Sequence, residues 1–180
     1  RNASFTVASI VSTTGFSTAD FDMWPELSRT IIVLIMFIGA CAGSTGGGIK
    51  VSRIIILFKS MAKELSVMIH PKQVRKITVD SHAIDHETVR SVNVYMVCYI
   101  MVFVISMGVM SFDNYDLITN FTAVAATLNN VGPGLEMVGP IQNFGFMSSP
   151  TKLILIFDML AGRLELFPML LLFAPATWKK

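Results

Sequence analysis

The chain has 180 residues, of which 53% are hydrophobic and 14% are charged, and its mean hydropathy is +0.63. Soluble domains carry charge on about a quarter of their residues, so this composition excludes a disordered chain, a nucleic-acid-binding tail and most soluble enzymes. The formal net charge of +2 is too small to attract polyanions. The chain begins at Arg1 without an initiator methionine or a signal peptide, and we therefore expect a fragment that lacks its N-terminal part.

The first apolar segment, residues 5–11, is too short to cross a membrane, whose hydrocarbon core needs about 20 helical residues. Its length is typical of a re-entrant or interfacial piece. A second segment runs from Thr30 to about Met68 and contains a glycine-rich break at residues 43–48. Each glycine there lowers helix propensity by about 1 kcal/mol relative to alanine. Unwound backbone survives in lipid only where it is buried in protein or lines a watery cavity, so we predict a broken membrane span.

The next segment, residues 91–112, carries no charge and is long enough to span a membrane as a helix. Residues 121–128 form a second short segment of the re-entrant or interfacial kind. A last span covers residues 153–176 and is interrupted by charges that must face protein or water, because charge is costly in lipid. These charges are Asp158, Arg163 and Glu165.

Charge placement predicts how the chain crosses the membrane. Eight of the 14 basic residues lie between residues 50 and 90, and residues 91–151 contain none. The positive-inside rule therefore predicts that residues 60–90 and the C-terminus are cytoplasmic and that residues 113–150 and the N-terminal segment lie outside. Within the cytoplasmic loop, residues 74–89 alternate as a strand does around a polar turn, which predicts a small hairpin.

The two short apolar segments belong to an internal repeat with an offset of 117 residues, which pairs Gly15 with Gly132. In both copies a short helix of small residues runs into three residues, a glycine and a further turn, and an interrupted span follows. An Ala-Gly pair recurs in these spans, at Ala42-Gly43 and Ala161-Gly162. The repeating unit is a re-entrant helix, a glycine turn and a broken helix, with residues 91–112 as the first helix of the second copy.

Such a unit suits the passage of a dehydrated cation. A selectivity filter replaces the water around the ion with backbone carbonyls that point at one axis, and a glycine permits the backbone angles that this requires. The short helix before each turn aims its negative end at the pore. No particular side chain is needed in the turns, only one that does not clash.

Four motifs follow one another along the chain. They are Ser12-Thr13-Thr14-Gly15-Phe16, the segment GACAGSTGGGIK at residues 39–50, Asn129-Asn130-Val131-Gly132-Pro133-Gly134, and Ala161-Gly162-Arg163-Leu164-Glu165. Together they resemble the Trk/Ktr/HKT superfamily of potassium transporters, and within it the bacterial TrkH-type membrane subunits. The resemblance covers essentially the whole chain and implies four helix, pore-loop, helix repeats around one pore. Residues 1–68 then supply the third pore loop and broken helix, residues 69–90 a cytoplasmic loop, and residues 91–180 the fourth repeat.

The resemblance also implies the site residues. The K⁺ filter is lined by the backbone of Ser12, Thr13, Thr14, Gly15, Asn129, Asn130, Val131 and Gly132. A gating loop lies in the membrane below the filter, and an arginine of the last helix faces it. The gate residues are Gly43, Ser44, Thr45, Gly46, Gly47, Gly48 and Arg163. Burial of Arg163 at membrane depth costs about 2.5–3.5 kcal/mol, which favours pairing with loop carbonyls or with Asp158.

We therefore expect an all-α transmembrane protein that takes up potassium and is not an enzyme. The resemblance implies a multi-pass protein of the cytoplasmic (inner) membrane, surrounded by lipid and assembled as a homodimer. It implies a cytoplasmic partner, a nucleotide-binding regulatory subunit of the TrkA/KtrA type. K⁺ is the transported ion, and no organic cofactor and no nucleic acid are expected. The residues leave open whether uptake is coupled to H⁺ or Na⁺.

Several alternatives stay open. Glycine turns also cap short helices, the glycine-rich break could be a small-residue helix seam, and Arg163 with its acidic neighbours could be a structural ion-pair set. A pore-loop cation channel of another family would not need the break. A membrane-embedded hydrolase would need a base at membrane depth, yet all three histidines precede the uncharged span, and a scaffold protein leaves the repeat unexplained.

Acidic residues at the predicted outer end either concentrate cations there or are ordinary solvated helix ends. They are Asp20, Asp22, Glu26, Asp113, Asp116 and Glu136.

Overall fold

The computed structural model describes residues 1–39, 41, 43–44, 46–70, 77–79, 82–164, 166–172 and 175–178. Most of these residues are helical, which agrees with the predicted all-α class. The helices are α1 (Asn2–Val11), α2 (Glu26–Phe37), α3 (Val51–Ile69), α4 (His86–Met110), α5 (Leu117–Leu128), α6 (Ser149–Arg163), α7 (Leu166–Leu172) and α8 (Pro175–Trp178). Short 3₁₀ helices follow the two glycine turns, at Phe21–Met23 and Glu136–Val138.

Helix α4 contains the predicted uncharged span. Among the described residues it is the one helix that is long and apolar enough to cross a membrane, judged by length and composition. Helices α1 and α5 are apolar but too short to cross, as residues 5–11 and 121–128 predict. Both begin a few residues earlier than predicted.

Asp116 explains the start of α5. Its carboxylate accepts a hydrogen bond from the backbone N–H of Thr119 at 3.0 Å and so caps the helix. Partial burial raises the pKa of the Asp116 carboxyl, but hydrogen bonds from Thr119 and from the backbone of Asp116 and Ile118 together outweigh burial and leave this pKa below its usual value. Asp116 is therefore held as an anion where the positive end of the helix dipole favours it.

The predicted broken span is found as α2 and α3, separated by residues 38–50. Helix α2 ends at Phe37. The predicted break begins only at residue 43, after Ala42, so that predicted boundary was wrong. The reason is an extended backbone at Ile38, which forms a bridge with Ile49. Gly39 N–H donates to the Ile49 carbonyl at 2.9 Å, and Ile49 N–H donates to the Phe37 carbonyl at 3.1 Å. These bonds close the break into a loop and satisfy part of its backbone.

The predicted hairpin is present between α3 and α4. Strand β1 (Thr78–Val79) pairs antiparallel with strand β2 (His82–Ala83), in the register Thr78 to Ala83 and Val79 to His82. The side-chain amine of Lys59 on α3 donates to the Thr78 carbonyl at 2.6 Å. The hairpin is therefore attached to the long helix that precedes it. Its predicted turn, residues 80–81, lies outside the described residues.

Helix α5 is the buried centre of the fold. Its residues from Thr119 to Leu128 are buried with the exception of Phe121, and it packs between α4 and α6. Gly162 of α6 allows the closest approach, because a Cβ at this position would collide with the carbonyl oxygen of Leu128. A second contact of that Cβ would be the side-chain amide of Asn130 at 2.7 Å. The two helices can meet here only because residue 162 has no side chain.

We predict that Gly162→Ala lowers the thermal unfolding midpoint of the complete protein. Overpacking of this kind costs about 1–3 kcal/mol, because the carbonyl of Leu128 belongs to a rigid helix end. The matched control is Gly108→Ala in α4, where no described atom lies within 4 Å of the added methyl group. Alanine favours a helix by about 1 kcal/mol over glycine, so the control should be as stable as the wild type or more so. Equal thermal unfolding midpoints for Gly162→Ala and Gly108→Ala would contradict the close contact between Gly162 and the Leu128 carbonyl.

Candidate functional site

Two glycine turns follow the two short helices, and they share one pattern of backbone hydrogen bonds. The first glycine turn is residues 12–15 after α1, and the second is residues 129–132 after α5. In each, the third residue donates its N–H to the carbonyl five residues earlier. These bonds join Thr14 N to Ser9 O at 2.9 Å and Val131 N to Ala126 O at 2.8 Å. Each backbone N–H bond of residues 12–15 has its counterpart 117 residues later, at the offset that the sequence predicts.

The backbone angles of the two turns agree as well. Thr13 and Asn130 have φ of 54° and 55°, and Gly15 and Gly132 have φ of 77° and 103°. Asparagine tolerates the left-handed region, but a β-branched threonine rarely adopts it. Strained backbone of this kind clusters at functional sites, where the surrounding structure holds it in place. The left-handed backbone of Thr13 is therefore determined by the surrounding structure and not by the intrinsic preference of threonine.

The first residue of each turn bonds back to its own helix. Ser12 Oγ donates to the Ala8 carbonyl at 2.7 Å, and Asn129 Nδ2 donates to the Ala125 carbonyl at 2.8 Å. Both bonds span four residues and occupy equivalent positions in the repeat. The expectation that these side chains need only avoid clashes was incomplete, because a donor is used at this position in both copies.

The two turns lie directly against each other. A Cβ on Gly15 would collide with the carbonyl oxygen of Val131 and would lie 3.3 Å from Pro133 Cδ. The side chain of Val131 is buried in an apolar cluster with Ile10 and Met36, which fixes this strand of backbone against α1 and α2. By contrast, no described atom lies within 4 Å of a Cβ on Gly132. The fold thus brings together two of the predicted filter segments.

A cavity of about 520 Å³ opens beside the turns. Residues of both turns line it, and α6 supplies most of the opposite wall. The turn residues on its surface are Thr13, Thr14, Asn130, Val131 and Gly132. Five of the eight predicted filter residues therefore face one common space.

A buried tyrosine supports the second turn from behind. Asn129 is fully buried, and its Oδ1 accepts a hydrogen bond from the hydroxyl of Tyr99 on α4 at 2.8 Å. Tyr99 is itself 4% exposed. Sequence reasoning missed this residue, although a tyrosine within an uncharged span is a signal, because a buried hydroxyl needs a partner.

The glycine-rich segment passes directly beneath the second turn. A Cβ on Gly47 would collide with the carbonyl oxygen of Asn129, and one on Gly48 would lie 3.2 Å from Asn129 Oδ1. Gly48 also has a φ of 80°. Glycine is therefore required at these two positions by close packing and, at Gly48, by backbone conformation. The helix-seam alternative fails, because none of the described residues from Ile38 to Lys50 is helical.

Arg163 shares a cavity of about 420 Å³ with this segment. Its lining includes Ser44, Gly46 and Gly48, and two further basic residues, Lys50 and Arg53. The guanidinium of Arg53 lies 4.0 Å above the ring of Tyr95. Gly43 is at an exposed turn with φ of 84°, and the predicted gate residue Thr45 lies outside the described residues.

Of the two kinds of partner expected for Arg163, loop carbonyls or Asp158, the second is wrong. Asp158 is fully buried and accepts a hydrogen bond from Ser106 Oγ at 2.8 Å, while its Oδ2 has no partner among the described atoms. Residues 158 and 163 are five positions apart on α6, so their side chains point about 140° apart around the helix axis and cannot meet. Arg163 is exposed on another side of α6. Glu165, the third predicted member of an ion-pair set, lies outside the described residues.

Comparisons with known proteins identify the family. A family profile described as "TrkH: cation transport protein" matches residues 1–180. The chain is 41% identical over 180 residues to a Trk system potassium uptake protein TrkH from Salmonella typhimurium, and 32% identical over 175 residues to a Trk system potassium uptake protein TrkG from Escherichia coli. These alignments cover 100% and 97% of this chain, but 37% and 36% of those proteins. The chain thus spans little more than a third of the length of these relatives.

The fold agrees with a solved relative. The crystal structure of the potassium transporter TrkH from Vibrio parahaemolyticus is 42% identical, with a TM-score of 0.87 over 97% of this chain and 37% of that one. This likeness confirms the predicted all-α membrane architecture.

We predict that Tyr99→Phe destabilises the complete protein, because the buried amide oxygen of Asn129 then loses its donor. An unsatisfied buried acceptor costs about 1–3 kcal/mol. The matched control is Tyr115→Phe, which removes a more exposed hydroxyl that donates to the Phe146 carbonyl at 3.1 Å. Water can replace that bond, so the control should unfold near the wild-type temperature. Thermal unfolding in detergent measures both, and a smaller loss for Tyr99→Phe would contradict its supporting role.

Proposed function

The chain belongs to the TrkH family of cation transport proteins, and on that premise we propose that it forms part of a potassium uptake pore. Membership of a transport family confirms that the chain is not an enzyme. The observation that supports the proposal most directly is the pair of glycine turns, which adjoin and repeat one strained backbone conformation. A catalytic site would need a constellation of reactive side chains, whereas the turn residues that line the common space are Thr13, Thr14, Asn130, Val131 and Gly132.

Selection of K⁺ would depend on the carbonyl oxygens of both turns. Carbonyl dipoles replace the hydration shell of an ion only if their positions are fixed. The Ser12 and Asn129 side chains, the buried Tyr99 hydroxyl and the buried Val131 side chain all restrain the turns. The C-terminal ends of α1 and α5 precede the turns, so the negative end of each helix dipole adds to the attraction for a cation.

The glycine-rich segment would gate the pore from below. Gly47 packs on the Asn129 carbonyl, so a pore that runs along the turns meets this segment next. Lys50, Arg53 and Arg163 line the cavity that the segment shares with α6. Positive charge at this position opposes the passage of a cation. Movement of the segment would remove a steric barrier and change the distribution of this charge.

The remaining assignments belong to the same proposal. The hairpin end, with residues 60–90 and the C-terminus, would face the cytoplasm, and the glycine turns would open to the outside of the cytoplasmic membrane. The division into residues 1–68, 69–90 and 91–180 would correspond to one incomplete and one complete repeat of four. A homodimer and a nucleotide-binding regulatory subunit of the TrkA/KtrA type would complete the assembly. The names of the relatives, which refer to a Trk system, support such a multi-component arrangement.

We predict that Gly132→Ser in the complete protein lowers the permeability ratio of K⁺ over Na⁺. A side chain at φ of 103° forces the backbone to rearrange, and a distortion of about 1 kcal/mol changes a ratio about five-fold. Reversal potentials in reconstituted vesicles measure this ratio. The control is Gly108→Ser on α4, which adds the same side chain where no described atom lies within 4 Å. An unchanged K⁺ over Na⁺ permeability ratio in Gly132→Ser would contradict the assignment of residues 129–132 to the filter.

A second prediction concerns the gate. Deletion of residues 46–48 in the complete protein should raise K⁺ leak in the absence of the regulatory subunit, because the backbone that packs on Asn129 is removed. Flux into vesicles is compared with that of the wild type prepared without the regulator. The K⁺ over Na⁺ ratio is measured in parallel, since an intact ratio shows that the filter has survived the deletion. Flux equal to or below the wild-type value would count against a gate.

A further inference from the structure

A cluster of charged residues joins the segments that follow the two glycine turns. Arg29, in the first turn of α2, donates from Nη2 to Glu136 Oε1 at 2.7 Å and from Nη1 to Glu26 Oε1 at 2.9 Å. Its Nη2 also lies 3.1 Å from Asp22 Oδ1, as an ion-pair contact without hydrogen-bond geometry. We call these four residues the Arg29 cluster. Three of the six acidic residues predicted at the outer end are thus held by one guanidinium.

The members of the Arg29 cluster differ in exposure. The side chain of Arg29 is 12% exposed, and those of Asp22 and Glu136 are 23% and 43% exposed. The side chain of Glu26 is 84% exposed. Solvent screens an exposed pair strongly, so that it contributes little, whereas a partly buried pair is screened much less. The contacts of Arg29 with Asp22 and Glu136 therefore dominate, and the contact with Glu26 is marginal.

Asp22 is attached to the first glycine turn. It lies in the 3₁₀ helix Phe21–Met23, which follows that turn along the chain. Phe21 is buried in the same apolar cluster as Ile10 of α1 and Val131 of the second turn. The position of Asp22 is thus fixed relative to the end of α1.

Glu136 is attached to the second glycine turn. It begins the 3₁₀ helix Glu136–Val138, and the Val138 carbonyl accepts a hydrogen bond from Gly134 N–H at 2.7 Å. Leu135 N–H donates to Thr122 Oγ1 on α5 at 3.1 Å. Glu136 itself has a φ of 54°, a region that disfavours residues other than glycine. Its strained backbone holds the carboxylate at the guanidinium.

The two attached segments also touch each other. A Cβ on Gly139 would lie 3.7 Å from Asp22 Cβ. Arg29 therefore bridges two pieces of backbone that are already in contact, across 107 residues of sequence. In the part of the chain that the structure describes, the cavity beside the glycine turns is lined by none of the four residues. An effect of Arg29 on ion passage would thus act through the positions of the turns.

We propose that Arg29 is a positioning residue that sets the separation of the two filter turns and thereby contributes to cation selectivity. This inference rests on the proposed function. The planar guanidinium presents donors in a rigid fork, which allows it to meet Glu136 and Asp22 from one side while it bonds Glu26 from another. A lysine keeps the charge but offers a single ammonium group, which cannot reproduce these contacts.

The test compares Arg29→Lys, Glu136→Gln and Glu26→Gln in the complete protein in reconstituted vesicles. Arg29→Lys and Glu136→Gln should lower the K⁺ over Na⁺ permeability ratio about five-fold or more, and the loss should persist at high ionic strength, because a change of position is not screened by salt. Glu26→Gln, the matched control, should stay within about two-fold of the wild type, because exposed pairs contribute little. Elution volume and thermal midpoint verify that each variant is folded.

Several results would overturn the proposal. One is a wild-type ratio in Arg29→Lys, and another is a loss in Glu26→Gln as large as in Glu136→Gln. A loss that vanishes at high salt would indicate surface charge instead of position. If Arg29→Lys does not fold, the permeability ratio of Glu136→Gln tests the proposal instead. This variant should fold, because glutamine has the same shape as the partly exposed glutamate that it replaces. A wild-type protein without K⁺ selectivity would overturn the proposed function itself, whereas a selective wild type with unchanged variants would overturn only the role of Arg29.

Discussion

The structure depends on close backbone contact around the end of α5. Three elements that are distant in sequence each place a glycine against a carbonyl of this region. They are Gly162 of α6 at Leu128, Gly47 of the broken span at Asn129, and Gly15 of the first glycine turn at Val131. In each case a Cβ would collide with the carbonyl oxygen. Irregular backbone at membrane depth must be buried in protein or line a watery cavity, and at these buried contacts a side chain would be too bulky for this distance. Glycines from distant parts of the chain provide the cover.

This constraint explains why the proposed filter turn and the proposed gate segment are packed together. The segment beneath the second turn contacts both the Asn129 carbonyl and the Asn129 side chain, which Tyr99 holds from α4. Any displacement of the segment removes a neighbour of a residue that is proposed to bind ions. If the two segments act as proposed, opening of the gate and the geometry of the filter are coupled by this direct contact. A longer network of residues is not needed to connect them.

The sequence was informative where a feature depends on local composition. The uncharged residues 91–112 fall within α4, the glycine-rich break interrupts two helices, and the repeat offset of 117 residues holds down to single hydrogen bonds. Prediction from the sequence failed where a helix boundary or a side-chain partner depends on contacts between residues far apart in the chain. The end of α2 at Phe37 depends on a bridge to Ile49, and the pairing assigned to Asp158 ignored its angular position on α6. The bond between Tyr99 and Asn129 joins residues 30 apart, and no periodicity could reveal it.

Electrostatics adds a difference between the two ends of the proposed pore. The Arg29 cluster combines three carboxylates with one guanidinium, so its formal charge is about −2 at neutral pH. The cavity below the glycine-rich segment is lined by three basic side chains. In the proposed pore, a cation that enters on the side of the Arg29 cluster would first be attracted by its carboxylates and then be repelled by the basic side chains of the cavity. Between these two regions lie the backbone carbonyls of the glycine turns. Opening of the proposed gate would therefore depend on the positions of these basic side chains as well as on the width of the path. Displacement of the glycine-rich segment, which shares this cavity with Arg163, would alter both the width of the path and its surroundings.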